Sequence, residues 1–374
     1  MGVAAAYRAC ARVTRAQATN FYYAFLSLPR AQRRSVYALY AFCREADNAV
    51  DDVVDALFDE GRPRTEKCAA SPADLLTEKR GTDGAFLHDG SEMCGASEVD
   101  GAFLPDGTRS HSTSEAEFVA VREEQTRRVQ EALAGLRERL SQAAAATPSG
   151  LLTEKRGMDG AFLHDGSGAV LRDVALADTI ARYGVRPADL ADVICGMEMD
   201  LTVSRYASYD ELHLYCYRVA SAVGLATLPI LTKGRTPTDE MRDRAIALGQ
   251  GMQLVNILRD VAEDAARDRI YIPQDALRAF GVSEADVIEG RCTDAMKELL
   301  ASVAGRARVR FDIGRRLIGD VPRSSSGCLW LLAELYGRIL NEIEARDFDV
   351  FSARASLPKR EKLSLLASTF WRRG

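Results

Sequence analysis

Apolar residues recur at spacings of three and four along most of the chain, and runs alternating apolar with polar residues are few. That periodicity predicts an all-α protein. Pro29 is expected to open a helix running through RRSVYALYAFCREADNAVDDVVDAL. The front half of this segment is apolar around most of its circumference, which predicts burial. Further helices are expected near 115–145, 170–183, 187–204, 208–231, 238–266, 293–319 and 327–347. Pro237, Pro273 and Pro322 mark boundaries between them, because proline inside a helix removes a hydrogen bond and clashes with the preceding turn.

Two tracts interrupt the helical pattern. LLTEKRGTDGAFLHDGS at 75–91 recurs as LLTEKRGMDGAFLHDGS at 151–167, with Thr82 against Met158 the single difference, and GAFLPDG at 101–107 resembles a third fragment. Separated copies without similar neighbours cannot stack as a solenoid, since each would lack an adjoining unit to cover its face. Their Gly, Asp and Ser content instead predicts flexible surface insertions at about 69–114 and 147–168 in a single helical domain spanning 1–374.

Composition narrows the function. A chain of 374 residues with 47% hydrophobic content can bury a large core, and a formal net charge of −5 argues against nucleic acid as a partner. The eight cysteines are scattered, with no CxxC pair. The N-terminal segment meets arginines too early for a signal sequence, and no apolar run reaches the length that spans a bilayer. A cytoplasmic location is expected, compatible with peripheral contact at a membrane surface. The longest uncharged apolar run, Val219 to Thr232, has the length of a buried helix. Oligomeric state leaves no mark on the sequence.

Two pairs of aspartates carry the chemistry. Asp47 and Asp51 stand four apart, and Asp260 and Asp264 repeat the spacing, so each pair shares one helical face with a rise of about 6 Å. Like charges so placed cost a helix about 0.2–0.5 kcal/mol per pair, and more when partly buried. Magnesium is the natural compensation, because it takes oxygen ligands and is commonly held by one or two carboxylates together with substrate phosphates. Each pair extends a polar stripe on an apolar helix: Tyr40, Arg44, Asp47 and Asp51 on one, Gln253, Asn256, Asp260 and Asp264 on the other. Such stripes are costly in a core unless they line a wet or metal-filled cavity. The competing account is solvated surface charge, with Arg259 and Glu263 as an ordinary i,i+4 pair. That account suffices for Asp52, Asp55 and Asp59.

These segments resemble the squalene/phytoene synthases. FYYAFLSLPRAQRRSVYALYAFCREADNAVDD is similar to that family's first block, GMEMDLTVSRYASYDELHLYCYRVASAVG to its middle block, and GQGMQLVNILRDVAEDAARDRIYIPQDAL to its second aspartate block. LYGRILNEIEARDFDVFSARASLPKREKL is similar to its ending. The resemblance implies an isoprenoid-synthase-type bundle around a central cavity, joining two prenyl diphosphates head to head (1′-1). It implies two or three Mg²⁺ ions bound with the substrate diphosphate by Asp47, Asp51, Asn256, Asp260 and Asp264. Gln253 would stand beside that cluster, and Arg44 and Arg259 would bind diphosphate oxygens. Tyr215 matches a tyrosine near the reacting carbons, and Phe21, Tyr40 and Tyr336 match positions that line the pocket. Asn48 departs from the family, which often has a second aspartate there.

Within the family, the segments FYYAFLSLPRAQRR and SLPK look closest to bacterial presqualene diphosphate synthases of the hopanoid route, which use farnesyl diphosphate. Phytoene synthase, using geranylgeranyl diphosphate, is the alternative. The chain has no GxGxxG fingerprint, so no nicotinamide cofactor is expected for the first half-reaction. A non-catalytic helical binding module is the rival of another class, although it would have no reason to keep both acidic pairs. A histidine-based metal hydrolase is poorer, because His88, His111 and His164 fall in the expected insertions and leave His213 alone.

Deleting 75–107 or 151–167, with short linkers restored, is expected to leave the helical circular dichroism spectrum intact. A spectrum of an unfolded chain would contradict the insertion account.

Overall fold

The computed structural model describes residues 2–18, 20–61, 115–146 and 167–371. The expected insertions fall outside the described residues, except that 167–168 already begin a helix. By contact clustering the chain forms two compact units, one of Met1–Asp55 with Gln125–Gly374 and one of Ala56–Glu124. In the second, only the helical backbone of 56–61 and 115–124 is described. The described residues contain helices and no strand, with one isolated parallel bridge between Arg205 and Ile270.

The long helices lie where periodicity put them. α1 is Val3–Gln17, α2 Phe21–Leu26 and α3 Arg30–Gly61, which begins directly after Pro29. α4 is Glu115–Ala145, α5 Ser167–Tyr183 and α6 Pro187–Thr202. A single helical run then contains α7 (Tyr209–Cys216), one π-helical turn (Tyr217–Ser221) and α8 (Ala222–Leu231). α9 is Asp239–Ala265, and two short helices follow, α10 (Gln274–Ala279) and α11 (Glu284–Ile288). The chain ends with α12 (Asp294–Gly314), α13 (Leu317–Asp320), α14 (Arg323–Ala345) and α15 (Lys359–Trp371). Sequence periodicity did not separate α1, α2, α10, α11, α13 and α15, most of which are too short to show a repeat.

Side-chain caps fix several starts. Thr238, Ser208 and Thr293 each accept a hydrogen bond from the backbone N–H three residues on, satisfying a donor the helix leaves unpaired. Ser283 and Asp286 form a reciprocal capping box on α11. The six described cysteines are all free thiols.

α9 is the axis of the core. Leu254, Val255, Ile257 and Leu258 are fully enclosed, while Gln253, Asn256, Asp260 and Asp264 remain partly accessible, so one polar stripe survives on a buried helix. α12 packs along α9 so closely that a Cβ on Gly314 would lie 2.7 Å from the Leu248 backbone. On another side of α9, a Cβ on Gly249 would lie 2.7 Å from Ser221 Cα, in the π turn. The run Tyr209–Leu231 is long and apolar enough by length and composition to cross a membrane. About half of it is covered by protein here: Leu212, Cys216, Ala222, Leu225, Ala226, Leu228 and Ile230 are among the most enclosed residues of the core.

Gly249→Ala should therefore cost about 1–3 kcal/mol in urea unfolding, because backbone opposes the new methyl group. Gly305→Ala, on the exposed side of α12 with nothing within 4 Å, should instead gain about 0.4–1 kcal/mol by restricting the unfolded chain.

Candidate active site

α3 and α9 both border one cavity of about 450 Å³. From α3 come Tyr40, Arg44 and Asp47, and from α9 come Gln253, Asn256 and Arg259. Phe21, Tyr215 and Tyr336 complete the set of anticipated residues in its wall. The remainder is chiefly apolar: Val193, Val219, Val223, Leu228, Leu248 and Leu332 among others. Helix geometry explains the division, because residues at spacings of three and four share a face while their neighbours pack into the core.

The aromatic positions converge. The Phe21 ring centroid lies 6.4 Å from that of Tyr40 and 6.1 Å from that of Tyr336. Phe25, which sequence did not single out, lies 6.0 Å from Phe21 and 6.2 Å from Tyr40. Burial raises the pKa of Tyr336, and the neighbouring Asn256 amide opposes that rise. Asn256 Nδ2 also donates to Gln253 Oε1 at 3.2 Å, which ties two members of the α9 stripe together.

The acidic residues divide by environment. Arg44 hydrogen-bonds to Asp47 one turn along α3. Asp51 continues that face on the same helix, but its side chain lies outside the described residues. Asp260 and Asp264 do not border the cavity; they continue α9 beyond Asn256 and Arg259. Burial opposes ionisation of Asp260, but the guanidiniums of Arg259 and Arg354 outweigh it and hold its pKa below the ordinary value. Arg259 meets both carboxylate oxygens, at 2.7 and 2.6 Å, and Arg354 Nε reaches Oδ1 at 2.7 Å. The i,i+4 pairing of Arg259 with Glu263 is therefore replaced: Arg259 binds Asp260, and Glu263 meets Arg354 at 3.3 Å. Asp264 has the opposite character. Its side chain has no hydrogen-bond partner among the described residues, and burial, with repulsion from Asp260, pushes its pKa up to about 7.

Two further residues escaped the sequence reading. Asp200, near the end of α6, borders the cavity, and burial raises its pKa to about 6, with the Asp47 charge acting in the same direction. Tyr215 and Tyr271 donate to its two oxygens, at 3.2 and 3.0 Å. Asp200 thus stands in electrostatic reach of Asp47 on α3 and of Asp264 on α9. Arg354 was equally invisible, because it lies in the segment between α14 and α15, where no periodicity marks it.

The donor set suits a hard cation such as Mg²⁺: carboxylates and an amide oxygen, with one carboxylate left without a hydrogen-bond donor and kept protonated by its neighbours. Among the described residues no three such side chains are already gathered into a cage. That accords with an ion that completes its shell with water and substrate phosphates.

A model of the squalene/phytoene synthase family matches residues 14–83 and 110–361. The chain is 45% identical over 203 residues to a chloroplastic phytoene synthase 3 of Zea mays, covering 54% of this chain and 48% of that protein. It is 43% identical over 197 residues to chloroplastic phytoene synthase 1 of Arabidopsis thaliana, covering 52% and 47%. The chain thus spans about half the length of the curated relatives it matches. A crystal structure of a dehydrosqualene synthase in complex with ligand superposes with TM-score 0.67 at 21% identity, covering 99% of this chain and 96% of that one. A squalene synthase, HpnC from Alicyclobacillus acidocaldarius, superposes with TM-score 0.61 at 22% identity, covering 92% and 95%. At those identities the two structures show a common fold.

Asp264 makes a testable contribution to stability. Between the ordinary aspartate value of 3.8 and about 7 the folded chain keeps a proton that the unfolded chain has lost. Stability should fall as pH rises through that interval and level off above it. In urea unfolding with a chelator present, Asp264→Asn should gain on the wild type at pH 8 and lose that advantage at pH 4.

Proposed function

The chain belongs to the squalene/phytoene synthase family, and on that premise we propose that it joins two prenyl diphosphates head to head. The observation that carries this is one apolar cavity bordered by Arg44 and Asp47 from α3 and by Asn256 and Arg259 from α9. Such a wall can bind a diphosphate at one part of the cavity while enclosing prenyl chains in the rest.

The chemical task is to ionise an allylic diphosphate away from water and keep the cation from being quenched. Arg44 and Arg259 would bind and orient the diphosphate and stabilise the charge that develops as it departs. Arg354, already on Asp260, is placed to join them. Asp47, Asp51, Asn256, Asp260 and Asp264 would hold Mg²⁺, which when bound supplies Lewis-acid stabilisation to the leaving diphosphate. The faces of Phe21, Tyr40 and Tyr336 would stabilise a cation by about 0.5–2 kcal/mol each. Tyr215, enclosed in the wall, would hold a proton at its hydroxyl next to the reacting carbons.

For the substrate we take geranylgeranyl diphosphate first, giving phytoene. The support is the 40–45% identity to proteins described as phytoene synthases, over about half their length. Farnesyl diphosphate is the second reading, favoured by the segments FYYAFLSLPRAQRR and SLPK. One extra isoprene unit is decided by a few side-chain volumes, so the cavity wall alone does not separate them. By the same resemblance the protein would work without a nicotinamide cofactor in the first half-reaction.

Purified protein with Mg²⁺ and each diphosphate in separate tubes, analysed by mass spectrometry, should give phytoene from the C20 tube. Presqualene diphosphate from the C15 tube alone would reverse the substrate order and leave the reaction class standing. No product in either tube would favour a non-catalytic binding role.

Asp260→Ala should lower turnover about 100-fold or more while changing the melting temperature little. The loss follows from freeing both Arg259 and Arg354, and relief of the repulsion on Asp264 offsets the lost ion pairs.

A further inference from the structure

Three segments distant in sequence meet at one carboxylate. Asp200 ends the polar face of α6, Tyr215 lies in the last turn of α7, and Tyr271 follows the loop after α9. Backbone bonds hold the loop in place: Ile270 N–H donates to Ser204 C=O at 3.0 Å, and Gln274 N–H to Tyr206 C=O at 2.8 Å. Arg269 Nη2 adds a bond to the Asp200 carbonyl at 2.8 Å. The rings form one stack, with Tyr215 and Tyr271 centroids 5.1 Å apart and Tyr206 5.5 and 5.8 Å from them. Nothing in the proposed chemistry so far uses Asp200 or Tyr271.

The hydrogen bonds determine where the Tyr215 proton can sit. Tyr271 donates its single proton to Asp200 Oδ1 at 3.0 Å. Tyr215 has two acceptors within reach, Asp200 Oδ2 at 3.2 Å and the Tyr271 oxygen at 3.3 Å. Both are long beside the usual O–H···O distance of about 2.7–2.8 Å. Both belong to the Asp200–Tyr271 pair, so the Tyr215 proton is directed toward that pair and its lone pairs are left for the cavity.

We propose that Asp200, with Tyr271, is a positioning residue that aims the Tyr215 hydroxyl, presenting it to the substrate as an acceptor. The proposal rests on the head-to-head reaction for its catalytic consequence, but its geometry stands apart from that reading. Without Asp200 the hydroxyl would lose the acceptor that fixes its proton. Asn at this position would keep one oxygen and place an N–H₂ donor where an acceptor stood, turning one of the two tyrosine hydroxyls around.

Two arms test it. In the kinetic arm, Asp200→Asn should lower kcat about tenfold or more while KM for the prenyl diphosphate stays within about threefold. The Asp200→Asn/Tyr215→Phe double variant should be no slower than Tyr215→Phe alone, because the first change acts through the second residue. Losses that multiply in the double variant would overturn the proposal. In the spectroscopic arm, the full chain is labelled with 3-fluorotyrosine, and the ¹⁹F resonance missing from Tyr215→Phe is followed. Asp200→Asn and Tyr271→Phe should each shift that resonance, whether or not the protein makes product. An unmoved resonance in both variants would overturn the proposal even in an active enzyme. If the wild type makes no product but the resonance shifts, the head-to-head reading fails and the positioning role stands. Should Asp200→Asn not fold, Tyr271→Phe carries both arms, and neither a lowered kcat nor a shifted resonance in it would again refute the idea.

Discussion

Carboxylates that repel one another inside an apolar helical protein are the constraint around which this structure is arranged. Asp47, Asp200, Asp260 and Asp264 come from three helices, and each raises the cost of ionising a neighbour or is shielded from doing so. The protein meets that cost differently at each position. Asp260 is held ionised between two guanidiniums, and Asp200 is capped by two phenols. Asp264 is left to keep its proton to about neutral pH. The surrounding helices are buried deeply enough that water cannot relieve the repulsion, and the same burial makes a bound cation worth more than it would be in solvent.

The long helices were legible because each carries its own signals. Helix 238–266 was expected and Asp239–Ala265 found, since Pro237 stops the preceding segment and Thr238 caps the next. Short helices such as Leu317–Asp320 contain too few residues to show a period, and they exist because tertiary packing holds them. Of the site, the polar stripes on α3 and α9 were visible as spacing, and nine of the anticipated residues do border one cavity. The two α9 aspartates lie outside its wall, a distinction of depth along a helix that spacing does not carry. Asp200 gave no signal because it has no acidic partner one turn away. Its surroundings are assembled from residues 6, 15 and 71 positions along the chain, and only the fold brings those together.

The ion pairing of Arg259 shows how a local rule can be overridden. Glu263 stands at the i,i+4 position that usually captures an arginine on an exposed helix. Arg259 instead takes the adjacent Asp260, with both side chains largely enclosed, and leaves Glu263 to Arg354. The preference follows from burial, because an enclosed bidentate pair gains more than a solvated one. Two arginines are thereby held against a carboxylate beside the cavity wall, where the arrival of an anionic substrate would give them a competing partner.

The π-helical turn at Tyr217–Ser221 has a consequence for how this chain can change over time. A π turn accommodates an additional residue relative to a regular α-helix, and each α-helical residue advances the face by about 100°. Loss of one residue within the turn could restore a regular helix, but it would rotate α8 relative to α7 by that angle. Val223 and Thr227 would then leave the cavity wall, and Leu225 and Ala226 would be turned out of the core. Point substitutions can adjust this wall one side chain at a time, whereas a single-codon deletion here would exchange the whole lining at once. Length between Tyr215 and Leu228 is thus expected to be held more tightly than residue identity.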